Sequence, residues 1–270
     1  MAKRALCIGI NNYPGTQNDL AGCVNDAEDW AATLQARGFA VAKMLDSQAT
    51  KTNMVKAIED LIGAAVAGDS LIVTYSGHGS FVPDTQGDEP DARDEGLCPY
   101  DIDRGNVLLD DEIHALFQRR PARVKLVLIS DSCHSGSVIR WAPPDRDSDA
   151  PLPRFLPPAA WMPADVLPKS AHGEVLTRVG TGTRPTVLSA GGDLLMAGCQ
   201  DQEFSYDARF NRRPNGAFTY YALKTLQSLP AGATYTAWHA AIRQYLPGAS
   251  YPQTPQLFGG KRNRKFEALA

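Results

Sequence analysis

Residues 70–80, SLIVTYSGHGS, and residues 124–136, VKLVLISDSCHSG, decide the architecture. In each, a nearly unbroken apolar run of strand length gives way abruptly to small polar residues. Such runs, without polar alternation, suit central strands of a parallel sheet covered by helices on both faces. In sheets of this kind functional groups gather at the carboxyl ends of the strands. Both motifs stand there: Ser76-Gly77-His78-Gly79-Ser80 follows the first run, and Asp131-Ser132-Cys133-His134-Ser135-Gly136 the second. If the two strands are neighbours, His78 and Cys133 lie side by side at one edge of the sheet.

Working outward, residues 4–10 (RALCIGI) read as another buried strand, ending in a turn at Asn11–Gly15. From Asp19 to Arg37 the apolar residues Leu20, Val24, Ala27, Ala31 and Leu34 recur at helical spacing, and Gly38 supplies a stop. A strand at 39–44 and a helix at 50–66 follow, with a short helix from Asp110 to Arg119. Past residue 185 come a strand at 186–190, helices near 216–229 and 235–246, and a last strand at 255–258. The βαβαβ…αβ order predicts an α/β fold with a mostly parallel sheet and right-handed crossovers.

A thiol attacks a carbonyl usefully only as thiolate, and an adjacent imidazole supplies the missing activation. A lone cysteine after a buried strand is usually a small core residue, and a lone histidine between glycines a turn residue. Their placement at two strand ends, 55 residues apart, favours a nucleophile, Cys133, with His78 as its general base. His134 competes, but adjacent side chains on an extended backbone diverge. The N–H groups of Gly79 and Cys133 stand where they can stabilise an oxyanion. Asp131 lies two residues before the nucleophile and Asp26 near another strand's carboxyl end, so both are candidates to hold a guanidinium through charge-assisted hydrogen bonds. Cys7 and Cys199 read as structural.

YSGHGS (75–80) and DSCHSG (131–136), preceded by ALCIGINNY (5–13) and AGCVNDA (21–27), resemble the type I metacaspases and bacterial orthocaspases, caspase-like cysteine peptidases of family C14. The resemblance is strong over about residues 4–140 and general beyond 186. It implies a caspase–hemoglobinase fold in one domain, residues 1–270, with a p20-like part (1–140), a linker (141–185) and a p10-like part (186–270). It implies an endopeptidase cleaving after Arg or Lys, with Cys23, Asp26, Ser76 and Asp131 lining the pocket for the residue before the cut bond, the S1 pocket. It also implies no cofactor for the chemistry, Ca²⁺ as an activator held by Asp94, Asp110 and Asp111, and a monomer. One departure opposes calcium: Arg140 stands seven positions after Cys133, where related sequences often carry an aspartate ligand. The stretch Asp84–Glu112 holds 11 acids against Arg93 and Arg104 and does not fit an EF-hand.

The remaining features narrow the class. A net charge of −3 over 270 residues argues against a general nucleic-acid or membrane binder. Five scattered cysteines with no CxxC pair suggest neither a zinc site nor a disulfide framework. With no apolar run approaching the roughly 20 residues that span a bilayer, and no signal-peptide pattern, the expected location is cytoplasmic. Eight of the 19 prolines fall between Trp141 and Lys169, interspersed with Arg146 and Arg154. That stretch reads as a long exposed loop and a substrate for the chain's own basic specificity, cut between Arg140 and Arg184 to mature a zymogen, or else by an upstream protease. KRNRK (261–265) reads as a solvated tail. The rival to a protein- or peptide-cleaving enzyme is an inactive caspase-like scaffold, though a scaffold has no need of His78, Cys133, Asp26 and Asp131 together.

Overall fold

The computed structural model describes residues 1–83, 93–133, 150–163, 193–201 and 203–270. Among the described residues the central sheet has six strands in the order β12-β9-β7-β3-β1-β2. These are β1 (Lys3–Gly9), β2 (Ala40–Leu45), β3 (Ser70–Ser76), β7 (Lys125–Asp131), β9 (Leu194–Ala197) and β12 (Gln256–Phe258). All neighbours run parallel except β12, which is antiparallel to β9. The apolar runs at 70–75 and 124–130 are therefore adjacent central strands, buried along nearly their whole length.

Side-chain alternation along these strands feeds two separate cores. Leu6, Ile8, Leu71, Val73, Leu126 and Leu128 point to one face, which is covered by α2 (Lys51–Gly63) through Met54, Ile58 and Ile62 and by α3 (Asp110–Gln118) through Ile113, Leu116 and Phe117. Ala5, Cys7, Ile72, Val127 and Ile129 point to the other. There lie α1 (Cys23–Ala36), α4 (Ala217–Ser228) and α5 (Tyr235–Ile242), with Trp30 and Trp238 meeting edge to face. Residues buried on both faces explain why the strands read as continuous apolar runs.

Helix α1 starts later than the spacing from Asp19 suggests, because Asp19, Ala21 and Gly22 are taken by other partners. The Asp19 carboxylate accepts the Tyr13 N–H, and the Asn11 side chain caps the helix by accepting from Cys23 N (2.8 Å) and Val24 N (3.2 Å). Two small antiparallel sheets, not anticipated from the sequence, flank the carboxyl edge. One joins β4 (Gly79–Pro83), β5 (Arg93–Leu97) and β6 (Leu108–Leu109); the other joins β8 (Leu152–Pro153), β10 (Tyr206–Phe210) and β11 (Arg213–Gly216) in the order β11-β10-β8.

The expectation of an exposed linker fails over residues 152–161. Arg154, Phe155, Leu156 and Trp161 are buried there, held by β8 and by bonds to β4. The basic stretch 261–265 is likewise not all solvated: Arg264 Nε donates to the Gly259 carbonyl at 2.7 Å, and its own carbonyl accepts from Thr236. The strand expected at 186–190, and Arg140, His134, Arg146 and Arg184, lie outside the described residues. Among the described residues no helix is long and apolar enough to cross a membrane.

Candidate active site

Strand register sets the site. Ser76 of β3 pairs with Asp131 of β7, so His78 and Cys133, each two residues further on, leave the sheet at one level. Gly77 makes the passage possible. A Cβ there would stand 2.6 Å from the hydroxyls of both Tyr13 and Tyr75, so the chain threads between two phenols only without a side chain. Those phenols then fix the next residue: His78 N–H donates to Tyr13 Oη (2.8 Å), while Tyr75 donates to the carbonyls of His78 (2.7 Å) and Cys98 (2.9 Å).

The imidazole of His78 is 2% exposed and lies tilted at 52° against Tyr13, with ring centroids 4.7 Å apart. Its Nε2 lies 2.6 Å from the Asn18 carbonyl, an acceptor that can be met only by an N–H. The proton therefore sits on Nε2 and the lone pair on Nδ1, which has no hydrogen-bond partner. Burial pushes the pKa down from 6.5 to about 4, against the pull of the Asn18 carbonyl. Cys133 is fully buried; its Sγ accepts from Ser205 N–H at 2.6 Å and shares no hydrogen bond with His78.

What both groups face is a carbonyl of the chain itself. The Arg154 carbonyl oxygen accepts from Gly79 N–H (3.0 Å) and Cys133 N–H (3.2 Å), the two donors expected at an oxyanion, and it also acts on the charge of His78. Arg154 N–H donates to the Ser205 carbonyl at 2.8 Å, continuing the antiparallel pairing of Leu152 with Asp207 and Pro153 with Tyr206. On the other side, Leu156 N–H donates to the Gly79 carbonyl (2.9 Å) and its own carbonyl accepts from Ser80 Oγ (2.7 Å). Ser80 Oγ in turn accepts from Trp161 Nε1 at 3.0 Å. The Phe155 ring packs with Phe81 and Phe204 in a small cluster that includes Cys133 and Cys199.

The Arg154 side chain, 0% exposed, ends among three carboxylates. Nη2 lies 2.7 Å from Asp26 Oδ2 and 2.9 Å from Asp207 Oδ1; Nη1 lies 3.2 Å from Asp131 Oδ2 and donates to the Asp131 carbonyl at 3.1 Å. Each acid is held independently. Asp26 accepts from Gly216 N–H (2.9 Å) and Asn215 Nδ2 (3.0 Å), Asp131 from Thr219 N–H (2.9 Å) and the Ser205 hydroxyl, and Asp207 from Ala21 N–H (2.8 Å) and Gly22 N–H (3.0 Å). Burial would strip the guanidinium of its proton, but the carboxylates of Asp131, Asp26 and Asp207 outweigh it and hold the group charged. One cation does not neutralise three anions, and burial, with Asp131 nearby, raises the Asp26 carboxyl to about 7 despite Arg154.

Of the four residues expected to line this pocket, Asp26 and Asp131 bind the guanidinium directly. Cys23 is fully buried beside them, its thiol raised by burial and acted on by the Arg154 charge. Ser76 lies buried at the strand end, its hydroxyl without a partner. Asp207 and Ser205 were not anticipated. Ser205 immediately precedes β10 and Asp207 is its second residue; in YDARF the polar residues alternate with apolar ones as a solvent-facing set would, so nothing in the sequence signals that Asp207 is buried.

Among the described residues no group of three or more His, Cys, Asp or Glu converges closely enough to hold a metal. Asp94 lies on β5, while Asp110 and Asp111 open α3. They are near enough to repel, for burial and then Asp111 and Asp94 raise the Asp110 carboxyl to about 6. The acids of residues 84–92, and Arg140, lie outside the described residues.

A mixed sheet of this order with helices on both faces is the caspase-like α/β class. Caspase-1 from Spodoptera frugiperda superposes with a TM-score of 0.55 over 96% of this chain and 85% of its own, at 14% identity. The crystal structure of a Geobacter sulfurreducens protein matches with a TM-score of 0.73 and 31% identity, covering 100% of this chain and 99% of that one. Metacaspase-1 of the yeast Scheffersomyces stipitis is 30% identical across 94% of this chain and 70% of its own length. The family model for the metacaspase, peptidase C14 domain matches residues 3–142. The chain belongs to the metacaspase family, and it is a cysteine-type peptidase acting on protein substrates.

Proposed function

We propose that the chain is an endopeptidase cleaving after Arg, and less well after Lys, through a dyad of Cys133 and His78, and that it is made as a zymogen processed within its own linker. One observation carries the reading: Arg154 lies across the site as a substrate would. Its guanidinium meets Asp26, Asp131 and Asp207, and its carbonyl oxygen meets the Gly79 and Cys133 N–H groups. The pocket's acids match the planar fork of arginine, while lysine would bring only a point charge.

In this mechanism the neutral His78 Nδ1 takes the thiol proton of Cys133, and Ser205 N–H stabilises the thiolate. Sγ attacks the carbonyl carbon of the residue in the S1 pocket, and the developing oxyanion is held by Gly79 N–H and Cys133 N–H. The imidazolium returns its proton to the leaving nitrogen, the C–N bond breaks and a thioester remains. Water then gives a proton to Nδ1 and attacks the thioester, releasing the carboxylic acid and restoring the thiol.

Fluorogenic peptides ending in Arg, Lys or Asp, assayed with and without Ca²⁺, test the reading. Turnover of the basic peptides should vanish in Cys133→Ala and His78→Ala. A preference for Asp would defeat the pocket assignment, and no turnover of any peptide by folded protein would point to an inactive scaffold.

A further inference from the structure

We infer that the face formed by the β10–β11 hairpin, α4 and the turn after α5 is an exosite, which docks an acidic segment of a protein substrate lying five or more residues ahead of the arginine in the S1 pocket. The inference rests on the proposed Arg specificity and adds to it a second determinant, remote from the cut bond.

The edge of β10 leads from the cleft to this face. Leu152–Pro153 pairs with Tyr206 and Asp207 alone, and no described strand continues along that edge past Asp207, although β10 runs on to Phe210. A substrate strand keeping the same register would set its third, fourth and fifth residues before the arginine opposite Ala208, Arg209 and Phe210. Adding a strand to a sheet edge is a general mode of peptide recognition, and here it carries the substrate beyond the cleft. What it meets is a surface of aromatic rings and cations. Phe210 stacks on Tyr220 with ring centroids 3.8 Å apart and meets Tyr221 edge to face. Tyr221 stacks in turn with Tyr245, which is 43% exposed. The exposed Lys224 holds its ammonium 4.8 Å from the centre of the Tyr245 ring, 5.8 Å from that of Tyr221 and 6.0 Å from that of Tyr220. Arg212 is exposed at the turn of the hairpin, two residues past Phe210.

The charge of this region is one-sided. Nine Arg and Lys residues and no Asp or Glu stand between Asp207 and Glu267, in a chain whose net charge is −3. One of the nine, Arg213, is paired with Asp29 of α1. The near balance of the whole chain therefore conceals a basic part, and such a local excess attracts an acidic segment within a Debye length, about 8 Å at physiological salt. Exposed tyrosine beside arginine is also a composition enriched where proteins meet. A nucleic acid would share the charge but would need free ring faces on which to stack its bases. The rings of this surface already stack on one another and under Lys224, which favours a peptide.

The experiment gives the active enzyme two long peptides that share one Arg and the four residues before it, preceded in one by a run of Glu and in the other by a run of Gln. A short Arg peptide that stops ahead of the run is assayed in parallel and reports the S1 pocket alone. At low salt the Glu peptide should show a KM about tenfold below that of the Gln peptide at equal kcat, because several exposed ion pairs, each worth little, act together. The preference should vanish at ~0.5 M salt, where screening shortens the reach of exposed charges. It should vanish also in Arg212→Glu/Lys224→Glu, two exposed positions whose reversal leaves the fold intact by circular dichroism, and when the Glu run is moved behind the cut bond. Equal KM values for the two long peptides in enzyme that cuts the short one, or a preference that survives the charge reversal, would overturn the inference and leave the specificity standing. A single-stranded oligonucleotide whose fluorescence anisotropy shows binding that depends on Arg212 and Lys224, while the two long peptides are cut alike, would assign the face to nucleic acid and overturn it too. No turnover of any Arg peptide would overturn both readings.

Discussion

Asp207→Asn is the change that most sharply separates a three-acid pocket from the two-acid pocket legible in the sequence. The carboxylate is nearly buried and bridges two sets of donors: its Oδ1 takes the guanidinium Nη2 at 2.9 Å, and its oxygens take the N–H groups of Ala21 and Gly22 at 2.8 and 3.0 Å. Asparagine has one acceptor and one donor end. Whichever way it turns, an NH₂ faces either the guanidinium or the two backbone N–H groups. The charge-assisted hydrogen bond alone is worth about 1.5–3 kcal/mol, and a buried donor left unmatched adds to it, so a total of about 2–4 kcal/mol is expected once the pocket relaxes. At about 1.4 kcal/mol per decade, kcat/KM for Arg peptides should fall about 30- to 1000-fold. The acid touches the side chain before the cut bond and not the reacting carbonyl, so the loss should appear in KM with kcat nearly unchanged. Steady-state kinetics on the active enzyme, with circular dichroism to verify folding, decide the matter. A folded variant losing less than threefold, or losing only kcat, would refute the reasoning.

Three further outcomes follow from the geometry. The fold favours neutral His78, whose value of about 4 lies below the ordinary 6.5, so the stability this group contributes is complete above pH 6.5 and disappears as pH falls toward 4. That difference is worth about 3 kcal/mol, and urea unfolding of Cys133→Ala beside Cys133→Ala/His78→Gln should show the two stabilities converging by this amount; curves that stay parallel would contradict it. Gly216→Ala puts a methyl group onto Asp131 Oδ2 and within 2.5 Å of the Arg154 Nη1 position, so Arg peptides should lose at least tenfold in affinity, read as KM. The aromatic seat of Phe155 predicts that peptides with Phe after the cut bond are preferred over those with Asp there by about tenfold in kcat/KM, the worth of about 1–2 kcal/mol of apolar burial, and equal rates would count against a specific site on that side.

The parts legible in the sequence are those fixed by local pattern. The strands β3 and β7 declare themselves because burial on both faces leaves their runs apolar but for Thr74 in β3, and their motifs fall level because the chain leaves both at the same register. Asp26 is visible as an acid in the first turn of α1. What stays hidden is pairing between distant segments. Leu152–Pro153 is too short and proline-rich to read as a strand, and gains its partner only from β10. A buried arginine looks exposed in sequence because its burial depends on acids at 26, 131 and 207. The β10–β11 hairpin hides because Asn211 and Arg212 both adopt positive φ, 51° and 68°, where Asn-Gly would have announced the turn.

The parallel pairing of β7 with β9 reaches beyond the geometry of the sheet. His78, Cys133, Asp26 and Asp131 precede residue 154, while Ser205 and Asp207 follow it. Processing in the linker, as proposed above, would therefore divide the working parts between two polypeptides. They would remain one enzyme because the seam between them is a strand pair in the middle of the sheet, four residues long from Val127 opposite Leu194 to Ser130 opposite Ala197, with side chains packed on both faces. Continuity of the backbone would then be a means of assembly, dispensable once the strands are seated.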